Sequence, residues 1–269
     1  MSTMRHRLKC CAIVAVRNEQ IHIRRAVRDF ARDGIDVVVI DNDSTDGTRR
    51  ICEELLGHGV LRLERLPWGG AFDLSAQLEA KQRVIRSLHH DWIIHADADE
   101  VLQSNVEGEA LLEGIARADR SGCNAVNFEE FVFLPPAGEQ PDTSRYTESF
   151  LHYYFHEPRP GRLMRAWRRT DALSNEGSGG HVLEGDVRLF PENFVLRHYM
   201  VLSEVHAREK YGMRVFASSD VAKGWHRRRM SIDPSMLRLP PEGQLLRLPH
   251  AGSRSFDRST PRASHFWEW

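Results

Sequence analysis

The sequence holds no run of about eighteen apolar residues, so no segment has the length and apolarity of a membrane-spanning helix. Its first apolar stretch, 10–16, is too short for either a secretion signal or a span, and the expected location is the cytoplasm. Cysteine is scarce: Cys10, Cys11, Cys52 and Cys123 make no Cys-x-x-Cys pair. That spacing excludes a disulfide framework and a cysteine zinc site, and it gives redox chemistry no foothold. There is no surplus of positive charge, with 37 Lys and Arg against 38 Asp and Glu, which argues against general nucleic-acid affinity. Internal repeats are also absent. The near-neutral total hides one asymmetry: from residue 221 onward nine Lys and Arg face four Asp and Glu. A basic tail of this kind is either simply solvated or touches a phosphate-bearing ligand, an acidic partner or a membrane surface.

What is present describes an ordinary globular chain of 269 residues, 41% hydrophobic and 28% charged. Residues 9–16 and 35–40 are short apolar runs, the second β-branched throughout, and 19–32 between them carries apolar residues at helical spacing. The alternation continues with a helix opening at Ser44-Thr45-Asp46, a strand at 60–63, a helix at 72–88 and a strand at 92–95. Four strands alternating with helices predict an α/β fold whose central sheet is mostly parallel and covered by helices on both faces. The second half reads as smaller and mixed. A helix at 106–119 precedes strands at 125–134, 151–155, 187–190 and 194–199, then a helix at 203–218. From about residue 230 the prolines, serines and arginines predict little regular structure before an aromatic end, His265-Phe266-Trp267-Glu268-Trp269, suited to docking on the domain or on a partner.

In open α/β sheets ligands bind beyond the carboxyl ends of the strands. Three polar clusters stand there: Arg17-Asn18-Glu19, Asp41-Asn42-Asp43-Ser44-Thr45-Asp46, and Asp97-Ala98-Asp99-Glu100. Converging carboxylates repel unless a cation or donors offset them. Two aspartates one residue apart can offer hard oxygen ligands to Mg²⁺ or Mn²⁺, which in turn bridge a diphosphate. A turn and helix cap accounts equally well for Asp46-Gly47 alone.

The three motifs, in this order and at successive strand ends, resemble a family 2-type glycosyltransferase of the GT-A fold. The resemblance covers residues 10 to about 120, and extends more thinly to Leu196-Arg197-His198-Tyr199 with Ser203-Glu204 and Lys210, similar to a late His-Tyr segment in a related subgroup. It implies a metal-dependent, inverting transfer of a sugar from a UDP-, GDP- or dTDP-sugar to an acceptor hydroxyl. Arg17, Asn18 and Glu19 would line the nucleotide pocket, and Asp41, Asn42 and Asp43 would hold base and ribose. Asp97 and Asp99 would meet ribose and metal, Mn²⁺ or Mg²⁺, with His198 as a late metal ligand or diphosphate contact; His181 stands behind it as a further candidate. Where the family carries an Arg-Asn pair for the diphosphate this chain has Lys81-Gln82, which keeps the charge but changes the contact. Alongside Asp99, the catalytic carboxylate that takes the acceptor proton is sought among Glu129, Glu130, Glu184 and Asp186, with Glu130 and Asp186 carried forward. Glu130 is preferred because an acid among Phe128, Phe131 and Phe133 is costly without a role. These readings divide the chain into a nucleotide-sugar half at 1–120, an acceptor half of the same domain at 121–220, and a basic, proline-rich extension at 221–269.

Two rival readings remain open at this point. Asp41-Asn42-Asp43-Ser44-Thr45 after a strand also fits the aspartate-nucleophile pattern of haloacid-dehalogenase-like phosphatases, as does Asp97-Ala98-Asp99-Glu100-Val101. A GT-A-shaped domain can also bind a nucleotide-sugar without turnover.

Overall fold

Apolar runs without an interior polar residue bury both faces of a strand, and two of the four strands in the first half of the chain, at 10–16 and 36–41, are of this kind. The computed structural model describes residues 7–157, 162–212 and 214–269. β1 (Cys10–Val16), α1 (Ile23–Arg32), β2 (Asp36–Asp41), α2 (Thr48–Glu54), β3 (Val60–Arg65), α3 (Leu74–Ser87) and β4 (Trp92–Ala96) follow in turn. β1 pairs in parallel with both β2 and β4, and β2 with β3. Because successive side chains point to opposite faces, Ala12, Val14, Val37 and Val39 pack with α1, α2 and a later helix, while Cys11, Ile13, Val38 and Ile40 pack with Ala80, Val84 and Ile85 of α3. The sheet is therefore covered on both faces, as the sequence predicts.

The second half is mixed. β5 (Glu100–Gln103), α4 (Leu111–Arg120), β6 (Ala125–Phe133), α5 (Tyr146–Ser149), β7 (His152–Phe155), β8 (Met164–Arg168) and β9 (Phe194–His198) come next. α6 (Glu204–Gly212), α7 (Ser218–Ala222), α8 (Arg227–Met230) and the two-residue β10 (Leu246–Arg247) complete the order. β6 joins the two halves. Its first residues pair with β8, which pairs antiparallel with β4, and its later residues lie between β7 and β9. β9 also pairs with β5, so His198 stands between Glu100 and Val132.

Several elements differ from the pattern read in the sequence. α4 starts at Leu111 rather than 106 because Gly108 turns the chain at φ +77°, and α6 ends at Gly212 instead of running to 218. Residues 187–190 form no strand; Leu189 makes a single bridge to Ala125. β5, β8 and β10 escape the sequence reading. The tail is more integrated than its composition suggests. Leu237, Leu239, Leu248, Phe256 and Phe266 are all buried in the clusters around β6 and β7, so the aromatic end docks back on the domain. The four cysteines are free thiols, and no helix among the described residues is long and apolar enough to cross a membrane.

Candidate active site

The carboxyl ends of β1 and β4 open, together with α3, α6 and the tail, onto one cavity of about 1000 Å³. The loop after β1 is tied to the loop after β2. Arg17 donates to the carbonyls of Asn42 (2.7 Å) and Asp43 (2.5 Å), and its guanidinium lies 3.7 Å from the ring centre of Trp68. Asn18 Oδ1 accepts from the Thr45 amide at 2.7 Å. Asn18 (φ 58°) and Asp43 (φ 52°) both sit in the left-handed region, which their short polar side chains tolerate better than most. The Asp43 carboxylate accepts from Arg65 at 2.5 and 3.0 Å and from the Trp68 amide at 3.0 Å, which fixes Trp68 at the cavity wall. Asp41 is 1% exposed and accepts from the Ser44 amide, while Asn42 donates to the carbonyls of Leu66 and Pro67. Of the residues expected to hold the donor, Arg17, Asn18, Glu19, Lys81 and Asp97 line the cavity. Asp41, Asn42 and Asp43 shape the wall behind it.

The acidic turn after β4 is held by a residue outside every motif. Arg25 on α1 donates to the carbonyls of Ala98 (2.5 Å) and Glu100 (2.8 Å), clamping the backbone of the turn. The side chains then form a line of alternating charge. Lys210 Nζ lies 2.6 Å from Asp99 Oδ2, His198 Nε2 lies 3.4 Å from the same oxygen, His198 Nδ1 lies 2.8 Å from Glu130 Oε1, and Arg162 reaches Glu130 Oε2 at 3.2 Å. Burial opposes ionisation of both acids, yet Lys210 and His198 hold Asp99 well below the usual carboxylate range, and His198 does the same for Glu130. Burial likewise works against charge on His198, but the two carboxylates raise it well above its ordinary value, so it is protonated at neutral pH. Beside this line, Arg165 reaches Glu100 Oε1 at 2.5 Å and Asp97 Oδ2 at 3.5 Å. Burial pushes Glu100 up to about 7 against the pull of Arg165, and pushes Glu19 up to about 7 against that of Lys210.

Lys81 is 5% exposed, with its Nζ 2.9 Å from His95 Nε2, and His95 Nδ1 in turn lies 3.1 Å from Asn175 Nδ2. Burial lowers the ammonium to about 8, with Asp97 acting in the opposite sense. Lys81 therefore carries its charge below about pH 8 and loses it above, and affinity for an anion in this cavity is expected to fall as pH rises through that value. Its contribution to fold stability runs the other way, because the penalty for burying the charged form is present below about pH 8 and lifts as pH rises towards the unfolded value of 10.5. Titrations of nucleoside diphosphate against the protein and its Lys81→Met variant, from pH 7 to 9.5, check this; a variant with the same pH dependence as the parent would refute it.

Among the expected catalytic groups, Asp99 and Glu130 line the cavity and Asp186 does not. The Asp186 carboxylate is 84% exposed and paired with Arg188, on a loop whose backbone packs against Asn124. Glu129 points away and pairs with Arg258 at 2.8 Å. His181 lines the cavity. The expected metal set of Asp97, Asp99 and His198 does not assemble. Both ring nitrogens of His198 face carboxylates, and Oδ2 of Asp99 lies 2.6 Å from the Lys210 ammonium. Among the described residues no three of His, Cys, Asp and Glu are placed to hold a metal ion. Arg25, Arg162 and Arg165 were not legible as site residues; the alternation Met164-Arg165-Ala166-Trp167 was the one local signal for β8.

The sheet ends in an acidic turn over a cation-lined cavity, at the carboxyl edge of the strands where open α/β sheets bind their ligands. The family described as glycosyl transferase family 2 matches residues 11–153, more than half of the chain, and the chain belongs to it. An uncharacterised glycosyltransferase of Rickettsia conorii is 29% identical over 101 residues, 38% of this chain and 32% of that protein. Another, of Rickettsia bellii, is 31% identical over 101 residues, 38% of this chain and 31% of that protein. The match thus spans about a third of the length of these curated relatives. Among solved structures, Staphylococcus aureus TarS aligns at a TM-score of 0.44 and 14% identity, over 75% of this chain and 38% of TarS. The family match decides against the phosphatase reading.

Proposed function

We propose that this chain transfers a glycosyl group from a nucleotide-sugar to an acceptor hydroxyl, with inversion at the anomeric carbon. The observation that carries the proposal is the convergence of the Asp97-Ala98-Asp99 turn, the Arg17-to-Glu19 loop and Glu130 on one cavity. The Arg17 and Trp68 side receives the nucleoside, since a guanidinium-backed indole offers an aromatic face to a base. Lys81 faces the diphosphate.

Glu130, kept ionised by His198 and Arg162, accepts the proton of the acceptor hydroxyl. The acceptor oxygen then forms its bond to the anomeric carbon as the bond to the diphosphate oxygen breaks, and the new negative charge on that oxygen is met by cations already in place. His198 acts by position. Bonded to both carboxylates, it fixes the distance between the turn that faces the donor and the base that faces the acceptor.

The reading is tested by offering UDP-, GDP- and dTDP-sugars and following melting temperature and nucleoside diphosphate release together. One donor is expected to raise the melting temperature and to be consumed, slowly by water and faster with an acceptor, giving a product of opposite anomeric configuration by NMR. Stabilisation without any release, in water or with hydroxyl acceptors, would identify a non-catalytic nucleotide-sugar binder. No stabilisation by any donor would remove the reading altogether.

A further inference from the structure

Of the five Lys and Arg that the described chain after β9 places on the cavity, Arg227 and Arg228 are exposed and three are partly buried; these three divide into a paired one and two without an ion-pair partner among the described residues. Lys210 on α6 is paired with Asp99 at 2.6 Å, its side chain 10% exposed. Arg214 and Arg229 line the same cavity, both half-buried, and neither has a carboxylate within ion-pair distance among the described residues. Arg214 lies over the Phe72 ring at 4.8 Å and Arg229 is 6.0 Å from the Tyr211 ring centre, so aromatic side chains hold both guanidinium groups in place without neutralising them. Two uncompensated guanidinium groups on one partly enclosed cavity repel each other, and an anionic ligand relieves that repulsion.

The acids of the turn after β4 and Glu130, by contrast, already have partners. Asp99 is satisfied by Lys210 and His198, Glu130 by His198 and Arg162, and Asp97 and Glu100 by Arg165. A divalent cation bridging Asp97 and Asp99 would share Asp99 with the Lys210 ammonium at 2.6 Å and Asp97 with Arg165 at 3.5 Å, a placement that Coulomb repulsion disfavours. The negative charge a bridging metal would meet in a nucleotide-sugar can instead be met by these side chains.

Resting on the transferase reading, we infer that the donor diphosphate is held by Lys210, Arg214 and Arg229, in place of a divalent metal, and that donor binding needs no metal ion. The segment from α6 to α8 thereby supplies the cations that the turn after β4 does not recruit from solution. Asp99 orients Lys210 and is a positioning residue for it.

The test is calorimetric titration of UDP, GDP and dTDP into the full chain, once with EDTA and once with Mn²⁺. For the diphosphate that binds, the two Kd values are expected to agree within about threefold, and the affinity to fall steeply with salt. Arg214→Met with Arg229→Met is expected to weaken binding roughly 10- to 100-fold in EDTA, with Arg229→Met alone giving about tenfold should the double variant fail to fold. Mn²⁺ tightening the parent's binding by tenfold or more, or stoichiometric loss of the free Mn²⁺ resonance signal on adding protein and nucleotide, would overturn the inference and leave the transferase reading standing. Binding unchanged in both arginine variants would overturn it equally. Failure of every nucleoside diphosphate to bind under either condition would sink the transferase reading and this inference with it.

Discussion

Glu130→Gln is expected to lower kcat for glycosyl transfer by about 10²- to 10⁴-fold, the range that removal of a general base commonly costs, with little change in the donor's KM. The amide keeps the shape of the side chain and can still accept from Arg162, but it cannot take a proton. Glu130 is 5% exposed and its carboxylate is bonded to His198 at 2.8 Å, so a merely structural role would also register as lost stability. Two measurements separate the roles. Donor affinity should stay near that of the parent, because Glu130 faces the donor only through His198 and Asp99. The pH profile of transfer should lose its acidic limb, since that limb reports protonation of the base in the parent. A variant with parental kcat would remove Glu130 from the chemistry and send the search to Glu100 or Glu19, two further acids on the cavity, both pushed up to about 7 by burial.

The donor side of this site was legible in the sequence because its parts are local. Apolar strands β1, β2 and β4 announce themselves by composition, and the polar residues directly after them must lie at the carboxyl edge of a parallel sheet. Glu130 was reached by a related argument, the cost of an acid among phenylalanines, and its partner at 2.8 Å confirms that the cost is offset by a charge. The partners of the cations were not legible, because each reaches the turn over a long stretch of sequence. Arg25 clamps it from 73 and 75 residues away, and Lys210 pairs with Asp99 across 111. No periodicity signals such a meeting. The surroundings of His198 show the same limit: the late His-Tyr resemblance suggested a metal ligand or diphosphate contact, and only the placing of β9 between β5 and β6 gives the ring a carboxylate on each side. Asp186 misled for the opposite reason: its local context is acidic, but its loop faces solvent.

Asp99→Ala is expected to destabilise the fold by about 3–5 kcal/mol, the usual cost of breaking a buried ion pair by removing one partner. The loss leaves the Lys210 ammonium and the His198 imidazolium without their shared carboxylate, in a place where the side chain of Lys210 is 10% exposed and that of His198 13%. At about 2–4 °C for each kcal/mol in a chain of this size, the fall in melting temperature is easily read. The pH dependence carries the sign. Asp99 is depressed below its unfolded value near 3.8, so its stabilisation is present above that value and lost as pH falls through the folded pKa. His198 is raised above its unfolded value near 6.5, so its stabilisation is full below that value and lost as pH rises through the folded pKa. The parent should therefore be most stable between these limits, and Asp99→Ala should show a smaller alkaline fall as well as a lower plateau, because His198 then keeps Glu130 as its one acidic partner. Adding Lys210→Met to Asp99→Ala is expected to recover part of the loss, since the second change removes the charge left uncompensated by the first. Additive destabilisation in that cycle would show that the two residues do not share an interaction, and the line of alternating charge would then end at His198.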